Sequence, residues 1–208
     1  MATVNTCVHD VRLVGGRLCL DFVNTVDSHL KSVPKEYLKC YSDLVVWSVR
    51  LYALNQERGD YLIQVAAQRP VEANAIIEHA KSLRSALYRI FSALIHRHKP
   101  LDNDLDIVNG ALVAAPYRSR ILASANGFVW GYADESQALD QPLWQVLWSA
   151  VDLLTSAECQ LVCQCAGEGC SWLFLDTSRT HSRRWCSMAD CGNRFKAQRH
   201  YARHYKKL

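Results

Sequence analysis

Between Val71 and His98 the apolar positions Ile76, Ala80, Leu83, Leu87, Ile90 and Leu94 alternate spacings of four and three, and Ile77, Phe91 and Ile95 widen the stripe. That is one face of a long amphipathic helix packed on a core. His96, Arg97, His98 and Lys99 then fall in its last turn, where positive charge suits the helix dipole, and Pro100 stops it. A shorter helix is predicted over Ser42–Asn55, from Leu44, Trp47, Leu51 and Leu54, with Ser42 or Asp43 accepting the orphan amide protons at its start. Another covers Tyr61–Ala67 and ends before Arg69-Pro70, because proline disfavours helix in the residue before it. Asp140-Gln141-Pro142 opens a further helix to about Ser156, with Leu143, Trp144, Leu147, Trp148, Val151 and Leu154 spread over at least half its surface.

Alternating segments mark the strands. Val11–Phe22 alternates around Gly15-Gly16 and is expected to form a hairpin; Arg118–Ser124 and Phe128–Tyr132 flank Asn126-Gly127, the strongest short hairpin signal in the chain. Leu101–Ala115 is expected as a short helix, and Glu158–Gln164 as a short strand. The pattern gives an α+β chain: a mainly helical N-terminal domain with β-hairpins over residues 1–157, then a small C-terminal module over 158–208. No internal repeat or low-complexity tract interrupts it.

Composition changes little at first. With 50% apolar and 21% charged residues the chain is ordinary globular material. The first residues hold no uninterrupted apolar segment behind a basic start, so no secretory signal is expected, and no apolar run is long enough to span a bilayer. A cytoplasmic protein with reduced thiols is the expectation. Charge changes more. Residues 165–208 hold nine Lys/Arg against three Asp/Glu, whereas residues 1–164 hold fifteen against seventeen. The basic excess therefore sits on the tail, which suits a polyanion partner for that end alone.

The same tail carries the chemistry. Cys165, Cys170, Cys186 and Cys191 form two C-x4-C pairs with fifteen residues between them. Paired thiolates at short spacing, separated by enough chain for a hairpin, are the donor set of a closed tetrahedral zinc site, structural rather than catalytic. Cys163 competes with Cys165 for the first position, since residues two apart on a strand share a face, and His181 is the other substitute. Chance clustering of buried cysteines is the plain alternative. Gly167 and Gly169 let the first pair fold as a knuckle. Trp172–Leu175 and Arg183–Trp185 are then expected as the arms of a hairpin, and Cys191 opens a helix. Knuckle, hairpin and helix make a treble-clef-like finger, which is too small to fold without its metal.

The string WLFLDTSRTHSRRWCSMADCGNR resembles the CGNR zinc-finger family, named for the tetrapeptide found here as Cys191-Gly192-Asn193-Arg194. LCLDFVNT at Leu18–Thr25 and the later SLRSALYRIF resemble the ABATE domain, the usual partner of that finger. The resemblance covers most of the chain and implies a stress-response transcription regulator. Phe195 departs from the pattern, standing where a small residue is expected.

Taken at 100° per residue, the helix after Cys191 places Arg194, Phe195, Gln198, Tyr201, Ala202 and Tyr205 on one arc and Lys196, Arg199, His200, Arg203, Lys206 and Lys207 on the other. The first arc should pack, with Asn193 and Arg194 bracing the zinc loop through backbone carbonyls. The second is a basic face able to follow the phosphates of double-stranded DNA, and Arg183 and Arg184 would extend it. Trp172 and Trp185, if exposed, would instead suit stacked RNA bases or a protein partner. Residues 1–157 are expected to sense a small molecule or mediate association as a homodimer. Asn24 and Arg84 are the candidate ligand contacts, against a turn cap and a surface ion pair as their plain roles. Catalysis is not expected: the chain has no H-E-x-x-H, phosphate-binding loop, nucleophile elbow or zinc-deaminase motif, and the neighbours Cys7/His9 and Cys19/Asp21 make poor catalytic pairs.

Overall fold

The computed structural model describes residues 7–124, 127–132 and 137–205. Its spine is the long helix, here α4 (Pro70–Ile95); α1 (Leu18–Val23), α2 (Tyr41–Arg50) and α3 (Gln56–Gln68) precede it. Pro70 fills the first turn of α4, where a missing N–H breaks no bond. The buried side of α4 is Ile77, Ala80, Leu83, Leu87, Ile90 and Phe91. The basic run after it is not its last turn. The helix ends at Ile95, Arg97 takes a left-handed φ of 59°, and the His98 and Arg97 amides close back on the Ala93 and Leu94 carbonyls as a Schellman cap. At the start of α2 the Asp43 carboxylate reaches back to accept the Lys39 and Cys40 amide protons. Then come α5 (Asp102–Ala114), the antiparallel hairpin β1 (Arg118–Ser124) and β2 (Gly127–Tyr132), and α6 (Gln141–Leu154). Asn126, expected at its turn, lies outside the described residues.

Further sequence expectations fail for physical reasons. Leu18–Val23 is a helix, not the arm of a hairpin. Its residues Cys19, Leu20, Phe22 and Val23 are all buried, with Phe22 tilted against Trp47 at 5.6 Å between ring centroids. A short run with five consecutive buried residues has no period to separate helix from strand. Gly16, with φ of 77°, turns the chain into α1, and the Gly15 amide donates to the Asp21 carboxylate at 2.8 Å.

Another concerns the C-terminal hairpin. After a 3-10 turn over Ala157–Leu161, strand β3 (Val162–Gln164) pairs antiparallel with β4 (Leu173–Leu175) in the register Val162↔Leu175, Cys163↔Phe174, Gln164↔Leu173. The hairpin thus closes around the first cysteine pair, and Arg183–Trp185 forms no strand. The other edge of β4 is already occupied. The Asn24 carboxamide takes both backbone groups of Leu173, and the Leu175 amide donates to the Gly15 carbonyl at 2.8 Å.

Strand β4 is a shared wall. Side chains alternate across a strand, so Leu173 and Leu175 join the main core of Leu20, Phe22, Trp47, Leu83, Leu87, Phe91 and Leu147, whereas Phe174 points into a second core with Cys165, Cys186 and Cys191. Val162 and Cys163 on β3 divide the same way. A third cluster of Tyr41, Val45, Leu62, Val65 and Leu139 lies around α2 and α3.

Burial pushes the Asp21 carboxyl up to about 6, from an ordinary 3.8. The folded chain keeps a proton that the unfolded chain has released, so this group's share of stability falls as pH rises from about 4 to about 6, by on the order of 3 kcal/mol. Asp21→Asn keeps an acceptor for Gly15 and removes that slope. Urea unfolding of both proteins at pH 4, 5, 6 and 7 checks it; parallel wild-type and variant curves would contradict it.

Candidate metal centre and nucleic-acid interface

The first cysteine pair sits in the loop of the β3–β4 hairpin and the second at the entrance to α7 (Asn193–Tyr205), with Cys186 just before and Cys191 inside a single π-turn over Met188–Gly192. Gly167 lets the knuckle close: a Cβ there would meet Cys191 Cβ at 3.0 Å and its Sγ at 3.1 Å. The four sulfurs of Cys165, Cys170, Cys186 and Cys191 lie within 4.8 Å of one another, with Cys170–Cys186 at 3.9 Å and Cys186–Cys191 at 3.7 Å. Zinc–sulfur bonds of about 2.3 Å give a tetrahedron with edges of about 3.8 Å, so the donor set fits one zinc ion.

The surroundings are built for thiolates. Cys165 Sγ accepts the Gly167 and Cys186 amide protons, and Cys191 Sγ accepts from Arg194 Nη2 at 3.2 Å. Donation from the Cys170 and Cys186 thiols, helped by those amides, pulls the Cys165 thiol down to about 2. The hydrogen bonds those thiols donate to Cys165 hold their protons, pushing Cys170 up to about 12 and raising Cys186. One thiolate that forbids the next is a conflict a dication resolves. Four sulfurs fill a tetrahedron and leave no open position, so the zinc is structural. Cys163 faces the finger core but lies outside the sulfur cluster, and burial raises its thiol. His181 is exposed, with its ring Nδ1 bonded to the Asp176 carbonyl.

Other singled-out residues change role. Arg194 braces the loop through a cysteine sulfur rather than through carbonyls, and Asn193 donates to the Ala189 carbonyl at 3.1 Å. Arg183 is not part of an outer basic surface. It lies over the Phe174 ring at 4.2 Å and donates to the Cys186, Trp185 and Val14 carbonyls, tying finger to body. Arg184 is exposed and lies over Trp185 and Phe195, whose rings are 5.6 Å apart. That contact gives the larger Phe195 its place. Lys196 and Arg199 are exposed and have no ion-pair partner among the described residues. The Arg203 side chain, Lys206 and Lys207 lie outside the described residues. Tyr201, assigned to the packed arc, is 63% exposed. Trp172 donates from Nε1 to the Val26 carbonyl at 2.7 Å, and Trp172 and Trp185 both pack, half-buried, against the finger core.

Arg84 and Asn24 are both buried, so neither is a surface group. The guanidinium of Arg84 forks onto Glu36 and donates to the carbonyl and hydroxyl of Thr25. The Asn24 carboxamide donates to the Leu173 carbonyl at 2.8 Å and accepts the Leu173 amide at 2.9 Å, as a neighbouring strand would. Asn24 thereby fixes the LDFVNT segment to the finger, while Arg84 ties Thr25 of that segment to α4 and Glu36. Two contacts there had no sequence signal: the His29 amide donates to Ser171 Oγ at 2.6 Å and the His29 ring stacks on Tyr88 at 3.9 Å, and burial pushes that imidazole down to about 4.

A helical body with a two-stranded knuckle, four cysteines and a terminal helix defines a structural zinc finger docked on an α+β domain. Comparison with family models agrees. The CGNR zinc finger matches residues 162–204, and ABATE, described as "Putative stress-induced transcription regulator", matches residues 16–157. The chain belongs to the ABATE family and carries a CGNR zinc finger at its C-terminal end. A search of curated proteins finds no match.

Removing the Asn24 carboxamide leaves a buried amide and carbonyl of Leu173 unpaired, at about 1–3 kcal/mol for each group. Asn24→Ala should lower the unfolding free energy by about 2–6 kcal/mol and speed zinc loss to a competing chelator. Urea unfolding and a chromogenic chelator assay read both effects; wild-type stability with wild-type zinc retention would show that the clamp holds nothing.

Proposed function

We propose that this chain is a DNA-binding transcription regulator whose zinc finger presents α7 to the phosphate backbone of duplex DNA. The observation that carries the reading is the cationic surface of Arg184, Lys196 and Arg199 beside the zinc site, without an ion-pair partner among the described residues, on a chain whose residues 1–164 are slightly acidic. The half-buried tryptophans and the absence of an open zinc position favour duplex DNA over single-stranded RNA, and a binding role over catalysis. Reduced thiols suit the cytoplasm. Among the described residues no helix is long and apolar enough to cross a membrane.

The body would supply control. A cleft of about 290 Å³ between α1, β1, α6 and the Ala157–Leu161 turn is lined by Arg17, Arg118, Ser149, Asp152 and Glu158 and suits a small polar ligand. Glu158 pairs with Arg17 one turn before the finger begins, so a ligand there would act at the junction.

Each phosphate contact contributes about 0.9 to the slope of log affinity against log salt, so the double substitution Lys196→Gln/Arg199→Gln should flatten the slope by about 1.8 and weaken binding to any duplex. Fluorescence anisotropy with a duplex across a salt series measures it. A slope equal to wild type would remove α7 from the interface.

A further inference from the structure

The segment after β4 carries a second basic surface that does not belong to α7. Residues 177–184 read TSRTHSRR, with no acidic side chain. Thr177–Ser182 are all exposed, yet this loop is held in one shape by the buried carboxylate of Asp176. Asp176 accepts the Ser178 amide at 2.9 Å, the Ser178 hydroxyl at 2.6 Å and the Arg183 amide at 2.9 Å, so one side chain fixes both ends. Its own amide donates to the Leu161 carbonyl at 2.9 Å, and the His181 ring bonds its carbonyl, anchoring the loop to the finger's root.

A buried carboxylate that meets amide and hydroxyl donors rather than a cation leaves the loop's positive charge unneutralised. Arg179 has no ion pair or hydrogen bond among the described residues. Thr180 and Ser182 hydroxyls bond each other at 2.7 Å, which occupies one hydroxyl proton and leaves the other free. Arginine, serine and threonine on a fixed backbone are the groups that position proteins on phosphates. The loop also joins the α7 surface without a gap, because Arg184, just beyond it, lies over Phe195 of that helix at 5.7 Å.

Resting on the duplex-DNA reading above, we propose that the loop Thr177–Ser182 is a second phosphate-contacting element, with Arg179 as the contact and Asp176 as the residue that positions it. The partner is the sugar-phosphate backbone, so the loop adds affinity and orientation rather than base preference.

The test uses the zinc-loaded full chain with a duplex across a salt series, comparing wild type with Arg179→Gln, Asp176→Asn, Ser178→Ala and Lys196→Gln/Arg199→Gln. Arg179→Gln should flatten the salt slope by about 0.9, one phosphate contact. Asp176→Asn makes the chain one charge more positive, so charge alone predicts equal or tighter binding; positioning predicts binding weakened severalfold. Zinc content is measured for each protein. If Asp176→Asn loses metal, Ser178→Ala carries that comparison, since it removes one bond to the carboxylate at constant charge, and it too should bind more weakly. Wild-type slopes for Arg179→Gln, or undiminished binding by the zinc-loaded positioning variants, overturn the loop's role while the α7 double variant still reports on the broader reading. A wild type with no salt-dependent duplex binding overturns both.

Discussion

Strand β4 is three residues long, and both halves of the molecule depend on it. Its alternation sends Leu173 and Leu175 into the helical core and Phe174 into the zinc core, so neither core is complete without the other. Such a short strand cannot hold itself, since its ladder with β3 satisfies only one edge. The other edge is closed by side chain and turn: Asn24 on Leu173, Gly15 on Leu175. Because Asp21 in turn holds Gly15, the LDFVNT segment acts as a third strand built without strand geometry.

This constraint explains why the finger is a docked part rather than a tethered one. A zinc module this small needs its metal for stability. Here it also has a wall of the main core, the Trp172 bond to Val26 and the Arg183 bond to Val14. The metal's part is to keep the Cys165–Cys170 knuckle and the start of α7 in fixed relation to that wall. Arg184, Lys196 and Arg199 then face solvent beside that wall, and under the proposed duplex-DNA reading little ordering entropy would remain to be lost on contact with phosphates.

How much was legible in the sequence follows from which signals are local. The long helix, the Arg118–Tyr132 hairpin and the donor cysteines were readable because stripe, turn residues and thiol spacing are all carried within one segment. Leu18–Val23 was not, because a short run with five consecutive buried residues looks the same as strand or helix. The pairing of β4 was missed because its competitor is a side chain 149 residues away. Arg84 looked like a surface charge because nothing near it in sequence reveals the Glu36 carboxylate that partners it. Arg183 and Arg184 are adjacent and chemically identical, yet one ties down carbonyls and the other faces outward; only the path of the chain after β4 separates them. Asp176 did carry a signal, an aspartate two residues before a serine in a polar turn.

The central claim is that body and finger open as one unit in the zinc-loaded protein. Native-state hydrogen exchange at the Leu173 and Leu175 amides tests it most directly, because their acceptors, Asn24 and Gly15, belong to the body. The account predicts protection equal to that of buried amides in α4, such as Leu87, with the same denaturant dependence. Exchange of Leu173 and Leu175 through a smaller opening, while α4 remains protected, would contradict it.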